Sequence, residues 1–423
     1  MSIGLQKGYV RTTLGSMHGS KKTKNKEGSI NVRAFCTYTF ISLSFDQKFT
    51  CEAQCKVMDP LLSSIMIRPT ASQEAKLLDY CFSIKPDCAV YRKAPSEEIS
   101  GMVPRLVEFF IEFKSQTSYD PFHIPPAPVE DDDPPPAHFL SRLRGKPMDV
   151  LGQLGTYAAV NMDSQYRTHS FLVLIIGDYA RLMRWDRCGI VFTEPIYYDT
   201  QPEFLEFFEA YDRASLDVRG HDSIISDPKD NEKSIGSQVL SSSVSPVDNN
   251  AQTFLVVSLR NEADHASPHR YIIPSPSIPP SLPVGRCTRT SVAYDLQNDR
   301  GRVYMKSLWR IVSSDNDIKE GKVYQALNKA NVKNIPNCVA FCDFEDKYHQ
   351  TQTHGFVGEP WLPQEYSYSI PYRRFHCIIL DTEGQRLQDF TTSKMMVRAI
   401  RAAIIGMCLP GCDLICQTLT CVL

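Results

Sequence analysis

The sequence predicts two successive domains of mixed composition, an α/β region followed by an α+β region, joined by a polar linker. Three observations carry that prediction. The run Phe171-Leu-Val-Leu-Ile-Ile176 is apolar and partly β-branched, the signature of a strand covered on both faces, and a helix-compatible segment precedes it. Residues 220–250 are rich in Ser, Asp, Lys and Asn and show no periodicity. Beyond them, residues 283–327 read as two short β-type runs, a polar turn at Asn298-Asp299-Arg300-Gly301, a third run ending in Lys306, and a helical stretch. A chain of 423 residues with 42% hydrophobic residues has enough apolar material for two cores.

Taken in order, residues 1–58 form a poorly ordered N-terminal segment. Its Lys21, Lys22, Lys24 and Lys26 read as a solvated basic tail, with a nuclear-import patch as the sharper alternative. The first domain spans 59–213. Residues 72–80 suit a short amphipathic helix, and 85–91 and 106–114 read as strands. The stretch PPAPVEDDDPPP at 125–136 cannot form a regular element and is a surface loop. A helix over 152–164 precedes the strand at 171–176, and 180–185 with 189–194 resembles a hairpin. Residues 203–213 close the domain as a helix with Phe204, Phe207, Phe208 and Tyr211 on one face. Residues 214–267 are a flexible linker, 268–405 the second domain, and 406–423 an atypical Cys-rich tail.

Charge and composition narrow the function classes. A net charge of −2 gives no whole-chain bias toward nucleic acid or an anionic membrane. The 14 cysteines are scattered and the N-terminus lacks an apolar signal-peptide core, which predicts an intracellular, reduced protein, cytoplasmic or nuclear. No uninterrupted apolar run reaches bilayer length; residues 402–423 come closest and are broken by Pro410, Gly411 and Asp413. No membrane partner is expected.

The first domain carries a carboxylate–lysine constellation. Asp87 follows Pro86, and Glu112 and Lys114 lie two apart on a predicted strand, so both project from one face. Two carboxylates hold a hard cation such as Mg²⁺, a neighbouring lysine orients water, and the metal stabilises charge developing on a phosphodiester. The plain alternative is a solvated strand that happens to carry Glu and Lys. The Pro-Asp, spacer, Glu-x-Lys order resembles the PD-(D/E)XK nucleases, and Gln153-Leu-Gly-Thr-Tyr157 is similar to the Gln-x-x-x-Tyr element of their exonuclease relatives. That resemblance implies a restriction-endonuclease-like mixed sheet with flanking helices. It assigns Asp87 and Glu112 to a metal and gives Lys114, Gln153 and Tyr157 catalytic roles. It leaves room for nucleic acid as a partner of this domain, although many descendants of the fold have lost catalysis.

The second domain reads like the opening of a protein kinase, which needs a lysine on its third strand for the α- and β-phosphates of ATP and a glutamate from the next helix to tether it. The segments Pro268-His-Arg-Tyr-Ile-Ile-Pro, Pro283-Val-Gly-Arg-Cys-Thr-Arg, Val292-Ala-Tyr-Asp and Met305-Lys306-Ser-Leu-Trp-Arg resemble the fungal-type protein kinase family. So do Lys85-Pro-Asp87, Phe110-Ile-Glu-Phe-Lys114 and Gly152-Gln153-Leu-Gly-Thr-Tyr157 upstream, with Asp178-Tyr-Ala-Arg-Leu-Met-Arg-Trp-Asp-Arg187 and Thr193-Glu-Pro195. The resemblance makes Lys306 the phosphate-binding lysine, Glu320 its helix partner, and Gly285, the only glycine between Pro283 and Gly301, the candidate in the nucleotide-covering loop. Residues 374–381 and 385–390 look like the fifth strand and hinge, and 393–405 like the helix leading toward the catalytic loop.

The resemblance implies ATP and Mg²⁺ as cofactors and a protein Ser/Thr substrate. Neither His-Arg-Asp nor Asp-Phe-Gly, the sources of the base and the metal ligand, occurs in the sequence. The expectation is therefore a protein-kinase-like N-lobe (β-sheet plus helix) lacking most of the C-lobe, a kinase by descent and inactive as the chain stands. Cys408, Cys412, Cys416 and Cys421 lack the paired spacing of a zinc knuckle and read as a truncated or misjoined tail. Three readings stand: kinase homologue, Mg-dependent nuclease, and non-catalytic interaction protein.

Overall fold

A computed structural model describes residues 3–5, 62–72, 75–76, 83–93, 101–122, 145–240, 254–262, 268–276, 282–297, 301–312, 319–359, 362, 370–384 and 389–407. The chain divides into two compact units. One comprises residues 1–222, 276–285 and 351–371; the other comprises 223–275, 286–350 and 372–423.

In the first unit the strands are β1 (Ile3–Leu5), β2 (Ile65–Pro69), β3 (Ala75–Lys76), β4 (Ser83–Ile84), β5 (Cys88–Arg92), β6 (Val107–Lys114), β7 (Ser170–Ile176), β8 (Tyr179–Asp186) and β9 (Gly189–Phe192). Seven form a mixed sheet in the order β1-β9-β8-β7-β6-β5-β2, with β6 and β7 parallel. Two helices, α1 (Lys146–Ser164) and α2 (Glu203–Arg213), cover its faces. Alternation along the strands sorts the core. Ala89, Phe110, Leu172 and Leu174 pack toward Leu154, Tyr157 and Ala158 of α1, while Val90, Phe109, Val173 and Ile175 pack toward Phe204, Phe207, Phe208 and Tyr211 of α2.

Two local expectations change. The helix expected at 72–80 is not formed at Ala75–Lys76, which pairs instead with Ser83–Ile84, so its backbone bonds run to another strand rather than along a helix. Helix α1 begins at Lys146, six residues before the expected start. Pro147 sits in the first turn, where a missing N–H leaves no helical bond unmade.

The second unit is a seven-stranded antiparallel sheet in the order β10-β11-β12-β13-β14-β16-β15. Its strands are β10 (Ile225–Ser226), β11 (Phe254–Leu259), β12 (His269–Pro274), β13 (Arg289–Asp295), β14 (Arg302–Ile311), β15 (Cys338–Asp343) and β16 (Arg373–Leu380). Its helices are α3 (Asp230–Val239), α4 (Glu320–Lys329) and α5 (Ser393–Met407). Of the two β-type runs expected between 283 and the turn at 298–301, only one strand, β13, is formed. Lys306 lies on β14, the last of the five successive antiparallel strands β10 to β14.

The expected flexible linker at 214–267 is corrected by β10, α3 and β11. Helix α3 has few apolar positions, but Gly236 lets its backbone lie directly on the sheet, since a Cβ there would come within 2.7 Å of Ile272. Arg270 closes the contact by pairing with Glu232. The second domain is not contiguous over 268–405 either. Residues 276–285 and 351–371 join the first unit, where Val284, Val357, Leu362 and Ile370 enter the α1-side core.

The loop at 125–136, the hinge segment at 385–388, the lysines at 21–26 and the tail cysteines at 408–421 lie outside the described residues. Apart from the three residues of β1, so does the segment 1–58. Among the described residues Cys338 and Cys342 are free thiols, whereas Cys88 is disulfide-bonded, an exception to the reduced reading. Among the described residues no helix is long and apolar enough to cross a membrane.

Candidate functional sites

In the second unit, side chains at alternate positions of β14 share one face, so Lys306, Leu308 and Arg310 project together. Lys306 Nζ donates to Glu320 Oε1 at 2.7 Å, with both side chains largely buried. Glu320 is the first residue of α4, where its negative charge also complements the positive end of the helix. The surroundings are poorly solvated. The Tyr324 hydroxyl and the Cys338 thiol are each pushed up to about 12, first by burial and then by the charge of Glu320. A lysine held this way is an oriented cation for a phosphate.

Gly285 belongs to the first unit, and its N–H donates to the Arg187 carbonyl at 2.9 Å, so that N–H is already engaged. Its φ of +115° explains why glycine stands there: the bend seats Pro283–Gly285 against Arg187, whose guanidinium reaches the Pro283 carbonyl at 3.2 Å and Asp163 at 2.8 Å. The adjacent Asp186 accepts N–H groups from Gln352 and Thr353 at 2.8 and 2.9 Å. The Trp185-Asp186-Arg187 stretch thus anchors both inserted segments.

In the first unit, Asp87, Glu112, Lys114, Gln153 and Tyr157 come together at one end of β6. Thr70 pins the Pro86–Asp87 turn through both carbonyls, at 2.7 and 2.8 Å. Asp87 Oδ2 then accepts the Phe113 N–H at 2.8 Å, which brings it between Glu112 and Lys114 along the strand. Glu112 Oε1 accepts from Lys114 Nζ and, at 2.8 Å, from Gln153 Nε2. Gln153 Nε2 also donates to the Tyr157 hydroxyl at 2.7 Å, the two residues being one helical turn apart on α1.

Glu112 is 3% exposed, and its Oε2 has no hydrogen-bond partner among the described residues. Burial, and then the charge of Asp87, push its carboxyl up to about 7. Burial and Glu112 raise the Tyr157 hydroxyl as well. Asp87 and Glu112 are the two residues that would hold a divalent cation, at this orphaned oxygen. Among the described residues, this site included, no cluster of three or more His, Cys, Asp or Glu side chains is placed to hold one.

Sequence reasoning missed the buried charges that brace each unit. In the first, Glu108 is met by Arg167 at 3.4 Å, His221 at 3.0 Å and the Tyr211 hydroxyl at 2.9 Å. Although burial opposes it, Arg167 and His221 hold its carboxyl far below the usual range. In the second, Asp343 is bound by Arg310 and by His376 Nδ1 at 2.6 Å; against burial, those two neighbours hold it low as well. The available signal was a lone charge inside an apolar strand, as in Val107-Glu-Phe-Phe and Phe341-Cys-Asp343.

The fungal protein kinase family matches this chain over residues 142–408, more than half its length. The match takes in Gln153, Tyr157, Gly285, Lys306 and Glu320 and begins after Asp87, Glu112 and Lys114. No curated protein and no solved structure matches the chain. Lys306 and Glu320 meet inside the matched region, and the chain belongs to the fungal protein kinase family.

Proposed function

We propose that this chain is a fungal-type protein kinase homologue that binds ATP through Lys306, with Glu320 orienting the amine, and that its 423 residues do not transfer phosphate. The 2.7 Å Lys306–Glu320 bond carries the reading, because a kinase uses such a pair to present the amine to the α- and β-phosphates. A glycine-lined phosphate cradle plays no part in it, since the Gly285 N–H is already engaged. The base and the Mg²⁺ ligand that phosphoryl transfer requires have no His-Arg-Asp or Asp-Phe-Gly to supply them. Titration calorimetry with ATP tests the binding half. Lys306→Met should weaken affinity about tenfold or more, the scale of a lost charged hydrogen bond. A wild-type protein that takes up no ATP sinks that half, and transfer of labelled phosphate to a protein acceptor sinks the other.

A second reading has its own observation, the buried and unpartnered Glu112 Oε2 beside Asp87. In it, Asp87 and Glu112 hold Mg²⁺, Lys114 orients water, and Gln153 and Tyr157 fix Glu112, so that the first unit acts on nucleic acid. The metal would supply charge stabilisation at the phosphodiester. Plasmid DNA incubated with Mg²⁺ or Mn²⁺ decides it: cleavage lost in Lys114→Ala promotes the nuclease, and intact DNA retires it. A folded protein with neither activity is an interaction protein built on both scaffolds.

A further inference from the structure

Helix α4 starts in an unusual way. Its N-cap residue is Lys319, and no side-chain bond caps the first turn. Short oxygen-bearing side chains are favoured there, and a cation faces the positive end of the helix. The charge is offset by Glu262, whose two oxygens receive Lys319 Nζ at 2.7 and 2.8 Å. Glu262 Oε1 also accepts the Asp343 N–H at 2.7 Å, and Asp343 Oδ2 lies 3.7 Å from Lys319 Nζ. Asp343 is in turn held by Arg310 and His376. The residue before Glu320 is therefore tied to β14, β15 and β16 at once.

The backbone is seated just as closely. A Cβ on Gly321 would fall 2.1 Å from Cγ of Phe341, so only glycine lets this turn of α4 lie on the ring. Lys306 and Arg310 occupy one face of β14, and the two salt bridges they form lie on either side of Leu308.

We propose that Lys319 is a positioning residue. Through Glu262 and Asp343 it sets the depth and register of the first turn of α4, and so holds Glu320 on Lys306. The importance of this for ligand binding rests on the ATP reading above; the positioning itself does not. The cluster acts on Lys306 from a distance, with Gly321 as its steric counterpart.

The test is the reactivity of the Lys306 amine, followed by brief acetylation of the full chain and mass spectrometry, with exposed Lys322 as internal standard. Glu320→Gln gives the reference for a released amine. Lys319→Met should raise Lys306 modification about three- to fivefold, toward that reference, the scale of a lost ion pair. Lys319→Arg should restore the wild-type rate. Glu262→Gln removes one charge while keeping an acceptor for the Asp343 N–H, and should reproduce the rise even if Lys319→Met folds poorly. A purely structural role for Lys319 would lower the unfolding midpoint with Lys306 reactivity unchanged, and that result overturns the proposal. Failure of the wild type to bind ATP would count against the nucleotide reading alone, because the acetylation comparison uses no nucleotide.

Discussion

Each unit holds a lysine–glutamate pair, and the two are built differently. Glu112 and Lys114 are neighbours on one strand, two residues apart, so their meeting needs nothing beyond β6. Lys306 and Glu320 are fourteen residues apart, one on a strand and one on a helix, so their meeting depends on where α4 is seated. The local pair is then pulled into a wider polar site by Asp87 and Gln153, and its glutamate ends up reluctant to ionise. The long-range pair has its supports in the Asp343 cluster, reached through Lys319 and Glu262. A pair made by local geometry is cheap to form and owes its character to what surrounds it; a pair made by packing owes its existence to that packing.

Four measurements act on that contrast. Asp343→Asn should have the largest effect, lowering the stability of the second unit by about 3–5 kcal/mol, because Arg310 and His376 are left buried around a neutral group. A urea midpoint close to wild type would show that the cluster carries little of the seating. Glu112→Gln comes next, through pH. The carboxyl titrates near 7 in the fold and near 4.5 when unfolded, so ionising it opposes folding. Wild-type stability should therefore fall, relative to Glu112→Gln, as pH rises from about 4.5 to 7, and level off above. The full difference is on the order of 3 kcal/mol. A gap between the two proteins that does not vary with pH removes burial as the cause.

Lys306→Met against Lys114→Met gives the third contrast. The first should weaken ATP binding about tenfold and the second should leave it unchanged, since a charged hydrogen bond is lost only in the former. Equal losses would mean that nucleotide is bound elsewhere. The smallest effect is expected for Lys114→Ala on stability, under about 1 kcal/mol near pH 7, because Glu112, with its carboxyl raised to about 7, takes up a proton when the ammonium is removed and keeps Gln153 as a partner. A larger loss would place Lys114 among the structural braces.

Much of the first unit was legible. The apolar run at 171–176 is β7, the four aromatics at helical spacing are the buried face of α2, and 180–185 with 189–194 contains the β8–β9 hairpin. Strong periodicity survives tertiary context. The failures share a different cause. Ala75–Lys76 met the pattern of a helix, yet it pairs with a strand, and the polar sequence around 230–239 resembled a linker although Gly236 lets it dock as α3. Composition cannot tell a polar helix that packs through one glycine from a solvated tether. In the candidate sites, the Glu-x-Lys spacing announced its own geometry, whereas nothing in the order of residues around Gly285 announced the bond of its N–H to Arg187.

What the amino-acid sequence determined by itself was local: which runs are strands or helices, which side chains share a face, and the residues that carry the family resemblance. Tertiary structure alone decided that residues 276–285 and 351–371 belong to the first unit, that Asp87 reaches Glu112, and that Glu320 closes on Lys306. The reason is physical. Side-chain direction along an element repeats every two or 3.6 residues and can be counted, while contacts between elements depend on steric fit and buried charge, such as Gly321 against Phe341 and Lys319 against Glu262.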